Sequence, residues 1–316
     1  MKFSNISILF LTFYLFVLSS CEKVIYFDIE TQNDKLVVNS FIGPESGAIA
    51  DVSLSLAPLD NNYPEYITGA TVELYKNNVF LDVYSYDGFL QKYTIDKTLL
   101  SAGEGDVFKL IASVPGKEPV TAETTIPQKI DITEIRVVDT VKLQAYDVYY
   151  DSLGYPIYSD SIPYYKIEIE FTDPDAKNYY SLQARYEDII SSGSICFSTN
   201  DPVYTVGNEF DFDAQNEDYF FTVCENSLFS DVTFNGTTKT FTLYAILIDG
   251  IFFDDAKYIF TLRHVGEDYY KYFNSVNLQQ NSEGDPFAQP VTVFSNIEGG
   301  FGVFASYNES VVEVEL

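Results

Sequence analysis

The chain has 316 residues and sets 47 Asp and Glu against 18 Lys and Arg, a formal charge of −29. So acidic a surface repels nucleic acid and anionic headgroups, which excludes both as expected partners. Phe and Tyr make up 16% of the chain, Trp is absent and apolar residues reach 46%, which excludes a disordered chain and indicates a β protein with a Phe- and Tyr-rich core.

At the start, Lys2 is the one charge before an apolar run from Ile6 to Leu18 that only Ser7 and Thr12 interrupt. That run falls short of the roughly 20 residues a helix needs to cross a bilayer, so it reads as a cleaved secretory leader. Leu18-Ser19-Ser20-Cys21 resembles a bacterial lipobox, in which the Cys21 thiol would carry a diacylglycerol. Two or more acyl chains, at about 0.8 kcal/mol per buried methylene, hold a protein stably on a membrane. Residues 1–20 are therefore expected to be a signal peptide and residues 21–34 a lipidated tether.

From residue 35 the pattern alternates with period two. "KLVVNSFI" (35–42), "ADVSLSLAP" (50–58), "TGATVELYKN" (68–77), "GDVFKLIASV" (105–114) and "PVTAETTIP" (119–127) read as strands, with turn signals at Asp87-Gly88 and Pro115-Gly116. Short strands at this spacing suit a small antiparallel sandwich, immunoglobulin-like or transthyretin-like, over residues 35–127. Ile126-Pro127 ends it, since proline cannot continue an interior strand.

Residues 128–316 read as a larger antiparallel β domain, with strands at "DITEIRVVD", "YKIEIEFTD", "NYYSLQARYED", "KTFTLYAILID" and "AKYIFTLRHV". Inside it, residues 146–165 hold seven tyrosines among Asp, Ser, Gly and Pro. Tyr149, Tyr150, Tyr155 and Tyr158 are candidate binding residues, because tyrosine offers broad amphipathic contact at low entropic cost. The alternative is a long hairpin whose tyrosines pack on their own sheet. Thr140, Ser152 and Ser161 each follow Asp and precede an apolar residue, which resembles an O-glycosylation sequon and would need an exposed loop. Glu209, Asp211 and Asp213 alternate along one strand face and form a candidate calcium site, a solvated strand face being the alternative. With Cys21 acylated, Cys196 and Cys224 are left as an even pair suited to a disulfide.

No catalytic constellation emerges. His264, the one histidine, lies on the strand face of Phe260 and Leu262 and reads as a core-edge residue rather than a base. "NIEGGFG" lacks the lysine of a phosphate loop and reads as a hairpin or bulge. The one helical segment, 266–279, places Tyr269, Tyr272, Phe273 and Val276 on a single face expected to pack on a sheet. After it, Pro290 is expected to lead into a strand that Gly299-Gly300 reverses into another.

The lipobox with "CEKVI", the "KLVVNSFI" strand, "ITGATVELY" and above all "YYKYFNSVNLQQNSEGDPFAQPVTVFSNIEGGFGVFASY" resemble a family of Bacteroidota lipoproteins described as domain of unknown function 4249. The resemblance implies an outer-membrane lipoprotein encoded near TonB-dependent transporters, and brings no active site. The expectation is a non-enzymatic accessory subunit of the outer membrane without cofactors, in contact with a TonB-dependent transporter or another outer-membrane complex. The alternative is a surface glycan- or ligand-binding lipoprotein.

Overall fold

In the computed structural model of the chain, the described residues are 34–56, 63–143, 148–150, 156–158, 162–187, 192–204, 221–223, 227–245, 257–282, 289 and 291–314, and those from Asp34 on fall in one compact unit. The N-terminal part contributes β1 (Leu36–Gly43), β2 (Gly47–Leu54), β3 (Thr71–Lys76), β4 (Val79–Val83), β5 (Ser85–Asp87), β6 (Lys92–Ile95), the single-turn helix α1 (Lys97–Leu100), β7 (Val107–Ser113) and β8 (Val120–Thr125). Next come β9 (Ile132–Leu143), β10 (Val148–Tyr150), β11 (Pro156–Tyr158), β12 (Ile162–Thr172), β13 (Tyr179–Glu187), β14 (Ser192–Ile195), β15 (Phe197–Thr199) and β16 (Phe221–Val223). The remainder is β17 (Ser227–Ser230), β18 (Thr238–Ala245), β19 (Lys257–Val265), the helix α2 (Glu267–Ser282) and β20 (Phe301–Val314). The expected all-β architecture is what the chain adopts.

A nine-stranded sheet in the order β14-β13-β19-β20-β1-β2-β6-β5, with β17 also on β13, forms the spine. Its β1-β2-β6-β5 end faces a four-stranded sheet, β4-β3-β7-β8. Period-two alternation turns Val38, Ile42, Val52, Val72, Leu74, Phe108 and Leu110 inward, and the resulting cluster is the core of a sandwich. Burial of each large side chain stabilises by about 1.5–3 kcal/mol. The β13-β19 end faces a five-stranded sheet, β16-β15-β18-β12-β9, over a second core in which Phe171, Tyr180, Phe229, Phe234 and Phe241 pack ring against ring. Helix α2 covers part of the spine's other face, and Tyr269, Tyr272 and Phe273 pack there with Tyr179, Val303, Ala305 and Tyr307 as expected.

The boundary expected at residue 127 separates the two buried clusters but not the sheet. Strand β20 pairs in parallel with β1 (Val37↔Phe301 to Ile42↔Ser306) and antiparallel with β19 (Val265↔Tyr307 to Tyr258↔Val314). It lends Phe304, together with Ile297 from just before it, to the N-terminal core. The crossing between the sandwiches is polar. Ser306 Oγ donates to Thr125 O (2.6 Å) and accepts from Thr124 Oγ1 (3.0 Å). Asn308 Nδ2 donates to Pro127 O (3.1 Å), and Ser310 Oγ accepts the Ile132 amide (3.0 Å). These side chains pair with the backbone of the connection at Thr125, Pro127 and Ile132, groups outside either sheet's ladder there.

One expected strand is absent. Among the described residues from 291 to 297 no ladder forms before the Gly299 turn; only Glu298 makes an isolated bridge, to Thr121. The Asn296 side chain takes the place of a ladder partner: its Oδ1 accepts the Phe304 amide (2.9 Å) and its Nδ2 donates to Phe304 O (2.8 Å). With those groups satisfied by an amide side chain, the preceding segment is free to run along α2, where the Phe294 amide donates to Ser275 Oγ (2.9 Å).

Candidate ligand cavity and docking hairpin

The uncovered part of the spine's helix-bearing face holds a cavity of about 370 Å³. Register builds its wall in three rows. Arg185 pairs with Ile259, which pairs with Glu313; Gln183 lies beside Thr261 and Val311; Ser181 lies beside Arg263 and Glu309. Ser194 and Ile195 of β14 contribute the rim. Arg263 is its most constrained group: Nε donates to Glu309 Oε2 (2.9 Å), and the guanidinium sits 4.4 Å from the Tyr307 ring centroid. Burial pulls against the charge of Arg263, but Tyr307, Glu309 and Tyr269 outweigh it and raise its pKa. Arg185 Nη1 lies 3.3 Å from the exposed Glu187 carboxylate. A cleft lined by two guanidiniums, the Glu309 carboxylate, the Gln183 amide and the hydroxyls of Ser194 and Thr261, among Ala184, Ile195, Ile259 and Val311, can take a small polar molecule.

Sequence reasoning passed over these residues. "TLRHV" and "YNESV" mark each as an outward strand position, but only the pairing of β19 with β20 brings Arg263 and Glu309 together. The opposite side of the same strand carries His264. Its ring is buried, stacks 5.2 Å from Tyr180, and places Nδ1 2.8 Å from Gln128 O. A carbonyl only accepts, so Nδ1 carries the proton. Burial lowers the His264 pKa, and Tyr180 in turn donates its hydroxyl to Asp173. The histidine thus has the structural place expected of it, at the edge of the core.

The tyrosine-rich segment forms a separate two-stranded ladder, Val148↔Tyr158 to Tyr150↔Pro156, beyond the Ile162↔Leu143 end of the β9–β12 pairing. Positions 149, 150 and 158, three of the four candidate binding tyrosines, lie in this ladder. Tyr155 lies outside the described residues. Thr140 is exposed on β9, the edge of its sheet, and pairs with Tyr165; it sits in a strand rather than the loop a sequon requires. Cys196 is exposed and disulfide-bonded, and it precedes Phe197, which pairs with Val223, the residue before Cys224. Cys21, Ser152, Ser161, Glu209, Asp211, Asp213 and Cys224 itself lie outside the described residues.

The profile described as Domain of unknown function (DUF4249) matches residues 22–312. The chain belongs to this family. The match to DUF4249 spans both sandwiches, α2 and all but the end of β20, and every residue lining the cavity falls inside it. No curated protein matches the DUF4249 chain. Among its described residues no helix is long and apolar enough to cross a membrane, which says nothing of strands. No group of three or more His, Cys, Asp or Glu is placed to hold a metal ion among them either.

Proposed function

We propose that this DUF4249 protein is a non-enzymatic, lipid-anchored accessory lipoprotein of the outer membrane that docks on a TonB-dependent transporter or another outer-membrane complex. The observation that carries the reading is the β10–β11 ladder, a tyrosine-bearing hairpin set apart from the sheets of both sandwiches. Such a ladder can give its tyrosines to a partner, where tyrosines at an interface centre typically contribute about 2 kcal/mol or more each. The family resemblance and the lipobox supply the membrane setting. Changing Tyr149, Tyr150 and Tyr158 together to Ser should abolish co-purification with the membrane partner while the melting temperature stays within about 3 °C, roughly 1 kcal/mol for a unit of this size. Retained co-purification refutes docking through the hairpin. Cys21→Ala should move the protein out of the membrane fraction, because the acyl chains are its expected hydrophobic attachment.

A second reading, a ligand-binding surface lipoprotein, is favoured by the cavity between β13, β19 and β20. Under it, Arg185→Ala should leave co-purification intact and lower retention of acidic small molecules or glycans.

A further inference from the structure

The described body has two ends along β1, and each exposes apolar side chains, with more aromatic rings at the starting end. At the starting end of β1 the Lys35 amide donates to Ser55 Oγ, the Ser55 amide donates to Lys35 O, and Lys117 Nζ donates to Asp34 O. Leu36 pairs with Leu54, Ser53 bridges Tyr66, and Phe301 pairs with Val37. The β5–β6 turn reaches the same end: β6 pairs with β2 through Ala48↔Ile95 and Ala50↔Tyr93, so stepping back from Tyr93 to the turn leads toward Leu54.

Apolar side chains stand out there. Phe89 and Tyr63 are each 94% exposed, and Tyr66, Leu90, Phe301 and Leu56 are exposed beside them. Asp87 Oδ1 accepts the amides of Phe89 (2.8 Å) and Leu90 (3.1 Å), which fixes the turn with Phe89 at its tip. At the other end, the β1–β2 turn and α1 meet through Lys97 and Glu45, whose charges are 3.6 Å apart; Leu99 is exposed in α1, and Val79 and Phe80 are exposed just past the β3–β4 turn, which Lys76 ties to Ser101.

We propose that the Phe89 end of the N-terminal sandwich is a membrane-seating surface, occupied by the headgroup–acyl boundary of the bilayer that holds the Cys21 anchor. This rests on the reading of Cys21 as acylated. The link from Cys21 to Asp34 leaves the body at this end and reaches at most roughly 45 Å when fully extended, so the end that carries the tether faces the leaflet that carries the lipid. Phe, Tyr and Leu at a loop tip, with Lys35 at 5.2 Å from the Phe301 ring centroid and Lys117 close by, have the amphipathic make-up of an interfacial contact. The surrounding carboxylates Asp34, Glu65, Asp87 and Glu118 make it suited to zwitterionic rather than anionic lipid.

The chain contains no Trp, so one substitution makes a unique fluorescent reporter. Full-length acylated protein carrying Phe89→Trp, or Leu99→Trp as the opposite-end control, is reconstituted into phosphatidylcholine vesicles with and without brominated acyl chains. Emission from the Phe89→Trp protein should shift to the blue and fall by about half or more with brominated lipid, as for a ring roughly 5–10 Å into the boundary, while the Leu99→Trp protein stays unquenched. Vesicle-bound Phe89→Trp protein without quenching overturns the seating surface and leaves the anchor standing. Equal quenching of both variants overturns the orientation. A blue shift that needs detergent-solubilised membrane protein, and not lipid, assigns the surface to a protein and also overturns the proposal. Protein that lacks acyl mass at Cys21 and does not bind vesicles overturns the anchor and the surface together.

Discussion

Gly302 offers the sharpest test of how the molecule is joined. It lies in β20 opposite Val38 with a φ of 104°, and a Cβ there would overlap the Val38 carbonyl oxygen and lie 2.7 Å from its carbon. Both atoms are backbone of the central strand pair and have no flexible end to give way. Gly302→Ala therefore combines left-handed strain of about 1–2 kcal/mol with an overpacking cost of about 1–3 kcal/mol, roughly 2–5 kcal/mol together. Gly105 separates the two contributions, because its φ of 79° is equally unfavourable for alanine while nothing lies within 4 Å of an added Cβ. Gly105→Ala should cost only the strain. At about 2–4 °C per kcal/mol for a chain of this size, Gly302→Ala should melt roughly 4–20 °C below wild type and Gly105→Ala roughly 2–8 °C below it, followed by far-ultraviolet circular dichroism. Because both sandwiches use β20, the Gly302 variant should lose them in one shifted transition. Equal melting of the two variants would refute the close β1–β20 approach, and separate transitions would refute the shared strand.

Thiol labelling of the denatured, unreduced mature protein should find neither Cys196 nor Cys224 free, and replacing both by Ser should cost about 3–4 kcal/mol for a loop of about 28 residues; labelling at both positions disproves the pairing. Lys239 Nζ lies 2.7 Å from Asp201 Oδ2, with both side chains largely buried, so Lys239→Met strands a carboxylate and should cost about 3–5 kcal/mol in urea unfolding. The double variant with Asp201→Asn should regain most of that loss, and a double variant no better than the single would count against the pair. His264 is held below its ordinary pKa of 6.5, so the unfolded chain takes up this proton before the folded one does. Stability from this group is full above pH 6.5 and drains away as pH falls through the lowered folded value. Between pH 7 and pH 5, His264→Gln should lose less unfolding free energy than wild type, and parallel losses would contradict the burial.

Strands were legible where one face is buried and the other wet. "KLVVNSFI", "TVELYKN" and "YKIEIEFTD" alternate because one side of each meets a core, and each coincides with a strand. The helix was legible for the same reason at a different period, since Tyr269, Tyr272 and Phe273 meet the sheet at helical spacing. Strand β20 shows the limit. Gly302 to Ser310 are all buried, some against α2 and some against the sandwiches, so alternation vanishes, and Asn308, Glu309 and Ser310 look like a surface loop. Nothing local records that Asn308 meets Pro127 or that Phe301 meets Val37, because those partners are chosen by the closed fold. The cavity was hidden likewise: Arg185, Arg263 and Glu309 are ordinary outward residues until three strands stand side by side. The tyrosine segment was visible as composition, while its pairing as a ladder apart from the larger sheets came only with the fold.

The place of β1 also has a mechanical meaning. Under the anchoring proposed for Cys21, a load would enter at the first residues of β1, along the axis of that strand. β1 is zipped on both sides, to β2 from Leu36 to Gly43 and to β20 from Val37 to Ile42. A pull on the start of β1 therefore shears two ladders at once instead of peeling one bond after another from a free edge. How long the fold survives such a pull is then governed by the rate at which that double ladder yields rather than by its equilibrium stability.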